Sequence, residues 1–455
     1  MDQNSAPLHG LWTSRWTFVL AATGSAVGLG NVWKFPYITG VNGGGAFVLV
    51  YLGCILLITL PIMMAEIMLG RAGRRSPVNT MRALARQAGA SRLWMAVGWL
   101  GLTAGFLILS YYSVIAGWTI AYVPRAAAGD FAGLDGAGIA AEFAALLADP
   151  AELVIWHSFF MLMTVGVISR GVSQGLERAV SVLMPGLFVL LLVLLGYALT
   201  LDGFGAGVAY LFRPDFSQLS GAGFLAALGQ AFFTLSIGMG AIMAYGAYLP
   251  DETNLASTTL FVGAADTLVA LVAGLVVFAL VFSTGLEPAA GPGLIFETLP
   301  HAFGQMPGGA IIGGVFFLLL MVAAWTSAIS LLEPAVAWLV ERFDITRPAA
   351  AAGCGAVAWL LGLGTLFSFN LLADFKPVAG RTLFDLTDYL TSNIMLPLGG
   401  LLIALFVAWR MSDATRRAEA GLGGPLYTGW LWLLRVVAPL GVLLVFLSAV
   451  GVELF

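Results

Sequence analysis

The sequence predicts an all-α integral membrane protein of about eleven transmembrane helices, with discontinuous first and sixth helices and an inverted five-plus-five repeat. Three observations predict this class. Hydrophobic residues make up 60% of the 455 positions and charged residues 10%, against about 25% charged in soluble domains; the mean hydropathy is +0.95. Many apolar runs reach the roughly 20 residues that a helix needs to cross a hydrocarbon core about 30 Å thick. Two of these runs are interrupted by glycine at mid-span, five helices apart, as expected when two halves of a chain repeat one architecture in opposite orientations.

The helices are expected near 16–38, 45–70, 93–123, 154–171, 176–200, 223–248, 257–284, 309–341, 349–370, 383–410 and 428–453. The run from Val180 to Leu201 contains no ionisable side chain except the phenol of Tyr197 and is too long for a soluble strand. The strands of a membrane barrel would alternate in polarity over about 10 residues, and these runs do not. The chain reads as one domain, 1–455, with a first repeat near 11–200, a second near 220–411 and an extra C-terminal span near 428–453. Residues Met1 to Gly10 are polar and lead into a full-length span, so no cleavable signal peptide is expected. Cys54 and Cys354 lie in apolar stretches and read as small core residues.

Basic residues orient the bundle. Arg15, the loop holding Arg71, Arg74, Arg75, Arg82, Arg86 and Arg92, and the loops holding Arg170, Arg178, Arg342, Arg347, Arg410, Arg416 and Arg417 fall on one side. Lys34, Arg125, Arg213, Lys376 and Arg381 fall on the other, so the bias is fourteen to five. It places the N-terminus in the cytoplasm of a cell with an inner membrane and the C-terminus outside. Arg435 lies inside the last span and is expected to snorkel. Among the external connections, 124–153 is acidic, and 285–308 mixes Gly and Pro with Leu294, Ile295 and Phe296, as a loop that packs back into the protein would.

The first span contains Gly24-Ser25-Ala26-Val27-Gly28-Leu29-Gly30-Asn31 and the sixth contains Thr234-Leu235-Ser236-Ile237-Gly238-Met239-Gly240. Glycine weakens a helix at both places. Unwinding frees amides and carbonyls inside the bilayer, and each costs several kcal/mol unless satisfied. A cation on the carbonyls and a zwitterion across both kinds of group would satisfy them. Gly24 and Gly28 taken alone would equally form a small-residue packing face; the second break at the matching position favours a binding site. The same glycines do not form a dinucleotide fingerprint, because no strand precedes them.

These breaks, with Trp12-Thr13-Ser14-Arg15, Gly24 through Tyr37, Asn42 through Phe47, Gln230 through Ser236, Gly291 through Pro300 and Thr326-Ser327, resemble the neurotransmitter:sodium symporter family. The likeness runs from about Leu11 to the tenth span, and eleven spans are a bacterial variant of that family. The resemblance implies sodium-coupled import of a small amino acid by alternating access, with two Na+ sites. One site would use the Ala26 carbonyl, Asn31, Thr234, Asp266 and the substrate carboxylate. The other would use the carbonyls of Gly24, Val27 and Ala323 and the hydroxyls of Thr326 and Ser327. The substrate carboxylate would meet the amides of Leu29 and Gly30 and the Tyr112 hydroxyl. Its ammonium would meet Ala26, Phe233, Thr234 and Ser236, and its side chain would lie among Ile108, Phe233, Met239 and Leu331, close to Ser327.

Glu66, an acid inside the second span, would brace the broken sixth span without binding a ligand. Asp266 stands where animal members carry asparagine and bind chloride, so transport is expected to need no chloride. Lys34 and Asp388 match the external gate pair, with Gln230 beside them, and lysine replaces the usual arginine. Glu341 matches the internal gate acid and Tyr248 its neighbouring tyrosine, while the usual arginine partner aligns with His9. The apolar pocket disfavours basic amino acids and biogenic amines, leaving neutral hydrophobic L-amino acids, aliphatic or aromatic, as the expected substrates.

Other function classes fit less well. A channel needs rings of polar groups along a continuous path, whereas polar residues here gather at two breaks. His9, His157 and His301 are scattered, and no nucleophile triad, metal cluster or phosphate loop is visible, so no enzyme activity is expected. The expected partners are a small-molecule amino acid and membrane lipid, with no nucleic acid, in a monomer or weak homo-oligomer. Proton coupling is the alternative within transporters, since Asp266 and Glu66 could each carry a proton; the Thr326-Ser327 pair argues for sodium, because a proton needs no cage of oxygens.

Overall fold

A computed structural model describes residues 11–286 and 291–449. Its described residues form no β-strand beyond the isolated bridges Gly44–Pro214 and Val378–Arg381. Nine helices among them are long and apolar enough to cross a membrane: Gly45–Gly73, Arg92–Ala128, Pro150–Ile168, Val172–Ala198, Leu255–Ser283, Gly309–Phe343, Arg347–Phe367, Leu383–Arg410 and Gly424–Leu444. The two expected spans missing from that set are the first and the sixth, and both are missing because they are broken. With them the bundle has its eleven spans.

The first span starts at Arg15, where Ser14 and Thr17 satisfy each other's backbone amides in a capping box. Its α-helix ends at Ala26; Val27 is extended at φ −70°, ψ 107°, and the chain resumes as a π-helical turn, Gly30–Lys34, followed by Phe35–Val41. The sixth span runs Gly221–Thr234, unwinds over 235–240 and resumes as Ala241–Ala247. Within the unwound stretch Ser236, Gly238 and Gly240 hold φ of 54°, 80° and 75°. Glycine reaches those angles freely, which explains its presence at two of the three positions.

The lipid-facing surface carries exposed apolar side chains, such as Ile155, Leu162, Val182 and Leu192 on the fourth and fifth spans. Polar side chains turn inward instead: Asn31, Glu66, Thr234, Asp266, Thr326, Ser327 and Glu333 are all buried. Hydrocarbon is a poor solvent for such groups, so they face the bundle interior and one another.

Several loops hold structure that hydropathy does not predict. The helix Pro77–Gln87 lies between the second and third spans, Gly136–Ala148 occupies much of the acidic 124–153 stretch, and Phe204–Phe212 and Asp413–Ala420 are further short helices. The 285–308 connection does pack inward, with Leu294, Ile295 and Phe296 buried and Thr298–Gln305 helical. Residues 287–290 of that loop, His9 and the positions from 450 onward lie outside the described residues.

Candidate functional site

Both breaks face the same point in the bundle. Asn31, on the turn after the first break, accepts from the Gly28 amide through Oδ1 at 2.9 Å. Its Nδ2 donates to Asp266 Oδ1 at 2.7 Å, to the Asp266 carbonyl at 3.1 Å and to Thr234 Oγ1 at 3.1 Å. The Thr234 hydroxyl donates to the Asp266 carboxylate at 3.1 Å. Asn31, Thr234 and Asp266, from the first, sixth and seventh spans, thus meet in one buried cluster, with the Asn31 amide nitrogen toward Thr234 and Asp266 and its oxygen toward the Gly28 amide. Tyr51 of the second span lies buried beside Thr234 and Asp266. Gln230 donates to the Gly30 carbonyl at 2.8 Å, while its Oε1 is buried without a partner among the described residues.

A second oxygen cluster lies where the first span meets the eighth. Ser327 Oγ is 3.4 Å from the Gly24 carbonyl, 3.2 Å from that of Ser25 and 3.3 Å from that of Val27. Thr326 Oγ1 is 3.0 Å from the Ala323 carbonyl, and a Cβ on Gly24 would meet the Thr326 Cβ at 3.3 Å. The Ser327 hydroxyl thus meets the Gly24 and Val27 carbonyls, and Thr326, bonded to the Ala323 carbonyl of its own helix, packs beside Gly24; all are hard oxygen donors of the kind an alkali cation takes.

Between these clusters lies a small cavity lined by Ser25, Ala26, Gly28, Gly30, Ile108, Tyr112, Phe233, Ser236, Met239, Ser327 and Leu331. Among the sequence-derived substrate contacts only Leu29 and Thr234 are absent from this lining; the Leu29 amide donates to Tyr112 Oη at 3.2 Å. Ser236 Oγ donates to the Ser25 carbonyl at 2.8 Å and so ties the two breaks together. The cavity is contracted to about 20 Å³, room for about one water. Outside it lies a vestibule of about 440 Å³. Tyr112 and Phe233 line both spaces and form the partition between them.

The gates differ from expectation in their pairings. Lys34 and Asp388 both line the vestibule, yet no ion pair joins them. Lys34 Nζ instead stands 4.2 Å from the Phe233 ring centroid, a cation–π contact, and Asp388 accepts from Ser392 Oγ at 2.9 Å. On the N-terminal side Glu341 accepts from the Ser76 amide and from Asn79, both at 2.6 Å. The Tyr248 hydroxyl donates to Glu333 at 2.7 Å. The expected partner His9 lies outside the described residues. Glu66 accepts from the Gly238 amide at 2.9 Å, so it does hold the unwound part of the sixth span.

Sequence reasoning missed three features here. Trp12 is buried and plugs the N-terminal side; its amide donates to the Tyr248 carbonyl at 2.9 Å and its indole to the Tyr245 carbonyl at 3.0 Å. Glu333 is wholly buried and pairs with Arg347 across the eighth and ninth spans. Ser25 donates to Ser330 at 2.8 Å, a second link from the first span to the eighth. An acid inside an apolar run was the available signal for Glu333, the same signal that singles out Glu66 and Asp266. Trp12 stands in the Trp12-Thr13-Ser14-Arg15 motif, which marks the position but gives it no role.

The chain can be set beside known proteins. A profile of the sodium:neurotransmitter symporter family matches residues 9–132 and 147–453. The chain is 38% identical over 448 residues, 98% of each protein, to the uncharacterized sodium-dependent transporter YhdH of Bacillus subtilis (strain 168). It is 32% identical over 445 residues to an uncharacterized sodium-dependent transporter of Haemophilus influenzae, covering 96% of this chain and 97% of that one. Its fold matches the crystal structure of MhsT in complex with L-phenylalanine with a TM-score of 0.89, at 43% identity, over 97% of this chain and 99% of that one. The match extends through both broken spans and nearly the whole sequence: this multi-pass membrane protein belongs to the sodium:neurotransmitter symporter family.

Proposed function

We propose that the chain imports neutral, hydrophobic L-amino acids together with sodium, by alternating access and without chloride. The observation that carries this reading is the cavity between the breaks. Ser25, Ala26, Gly28 and Gly30 of the first break and the hydroxyl-bearing Tyr112, Ser236 and Ser327 line it, Ile108, Phe233, Met239 and Leu331 supply the rest, and no charged side chain lines it among the described residues. Such a site offers partners to an ammonium and a carboxylate but none to a second charge. The phenylalanine bound to MhsT, a protein 43% identical to this one, supports the same substrate class.

In this reading Asn31, Thr234 and Asp266, with the Ala26 carbonyl, hold one sodium ion against the substrate carboxylate. Gly24, Val27, Ala323, Thr326 and Ser327 hold the other. Leu29, Gly30 and Tyr112 take the carboxylate. Because the cavity is contracted, substrate enters by displacing Phe233 and Met239; the thioether chain of Met239 adapts readily, and the unwound backbone beside it yields. The repeats are 11–200 and 220–411, the final span is an addition, and the N-terminus lies in the cytoplasm under an inner membrane. Trp12 then closes the cytoplasmic path while the vestibule faces outward, and rocking of the broken spans exchanges the two.

Uptake of labelled leucine, phenylalanine or tryptophan into proteoliposomes is expected only with an inward sodium gradient, and is expected to be unchanged when gluconate replaces chloride. Much tighter binding of alanine or lysine than of leucine would overturn the substrate class. Equal uptake in sodium and potassium would remove the sodium ligands and leave proton coupling, with Asp266 and Glu66 as the acids. A second test concerns space. A Cβ on Gly28 would lie 2.5 Å from Ser327 Oγ and 2.7 Å from Tyr112 Oη. Overpacking of this kind costs roughly 1–3 kcal/mol, so Gly28→Ala is expected to weaken substrate binding about tenfold or more while the protein still folds; equilibrium binding of labelled leucine checks this.

A further inference from the structure

No acidic residue occurs between Glu66 and Asp130, and the stretch between the second and third spans carries six arginines. Their surroundings differ. Arg71 pairs with Glu419 at 2.7 Å and Arg74 pairs with Asp251. Arg82, Arg86 and Arg92 are exposed and, among the described residues, form no ion pair. Together with Met95 they line one cleft of about 460 Å³.

The local fold creates this convergence. The helix Pro77–Gln87 buries Val78, Met81 and Leu84, so Arg82 and Arg86, one turn apart, share its outer face. Arg92 opens the third span, and Arg82 Nε reaches to 3.2 Å from Met95 Sδ within that span. The neighbouring Leu93 is 81% exposed. Three guanidinium groups therefore surround the point where a membrane-spanning helix leaves the hydrocarbon, which is the depth of lipid headgroups. A general excess of basic residues on one face orients a membrane protein, but it does not require three of them to meet in a cleft free of acids. Like charges held together repel one another, and a phosphate ester relieves that repulsion by accepting from several guanidinium forks at once.

We propose that this cleft binds the headgroup of an anionic phospholipid, with its acyl chains lying over Leu93 and the start of the third span. The proposal rests on the chain being a multi-pass membrane protein and is independent of the transported substrate. The test is native mass spectrometry of the delipidated full-length protein titrated with phosphatidylglycerol, with phosphatidylcholine and with inorganic phosphate. Phosphatidylglycerol is expected to remain bound where phosphatidylcholine does not. The combined substitution Arg82→Gln/Arg86→Gln/Arg92→Gln is expected to weaken its binding by about 100-fold, given the usual contribution of each basic residue at an anionic surface. The Arg82→Lys/Arg86→Lys/Arg92→Lys variant, which keeps the charge but loses the forks, is expected to bind more tightly than the glutamine variant and less tightly than the unchanged protein, and controls for folding, and Arg342→Gln should change nothing. Equal retention of both lipids, or unchanged retention in the triple glutamine variant, would overturn the proposal. Displacement of the lipid by millimolar inorganic phosphate would also overturn it, by making the cleft a site for the free anion.

Discussion

Asp266→Asn is expected to raise the sodium concentration needed for half-maximal uptake by at least about 100-fold in chloride-free medium, and to make the remaining uptake respond to chloride. The side chain is wholly buried, 2.7 Å from Asn31 and within 3.1 Å of the Thr234 hydroxyl. Asparagine has nearly the same shape, so the hydrogen-bonded frame survives and only the negative charge goes. Removing one partner of a buried charge pair costs about 3–5 kcal/mol, which corresponds to roughly 10²–10⁴ in affinity. A chloride ion entering beside Tyr51 and Gln230 could restore part of that charge. Sodium titrations of uptake, with chloride and with gluconate, read both effects. An unchanged titration would mean that Asp266 shapes the site but supplies no charge to it.

Arg347→Met is expected to lower thermal stability more than other single changes away from the binding cavity. Glu333 is completely buried, accepts from the Tyr248 hydroxyl at 2.7 Å and pairs with Arg347, whose Nε also donates to the Ile168 carbonyl at 2.9 Å. Taking away the arginine leaves a carboxylate in an apolar interior and costs about 3–5 kcal/mol. The double variant Glu333→Gln/Arg347→Met removes both charges and is expected to recover most of the loss, because a buried pair contributes little net stability beyond its own desolvation. Thermal unfolding of Arg347→Met, Glu333→Gln and the double variant in detergent measures the coupling; a double-variant loss equal to the sum of the two single losses would show that the two residues act independently. The pair links the eighth and ninth spans to the end of the sixth, so loss of Arg347 should also loosen the packing around Trp12.

Much of the fold was legible in order of residues alone. The lengths of the nine continuous spans follow from the hydrocarbon thickness, which any apolar run of sufficient length reports. The breaks at 27–29 and 235–240 were equally legible, because glycine and serine at mid-span weaken a helix wherever it packs. The short helices Pro77–Gln87 and Gly136–Ala148 were not, since hydropathy over a membrane-length window averages away an element of three turns.

Within the site, the residues that gather at the cavity could be named from motif positions, and the structure brings Ala26, Gly30, Ile108, Tyr112, Phe233, Ser236, Met239, Ser327 and Leu331 around one space. Their pairings could not be named. Lys34 stands over Phe233 instead of meeting Asp388, and the Tyr248 hydroxyl donates to Glu333, an acid that the motif positions do not single out. Trp12 reaches carbonyls more than two hundred residues away. The sequence by itself determined where helices span, where they break and which polar groups must turn inward, because hydrophobic length and backbone propensity are properties of neighbouring residues. Only the tertiary structure decided which buried donor meets which acceptor and which arginines are left to face the lipid headgroups, because those choices depend on distances between segments that approach each other only after the bundle has packed.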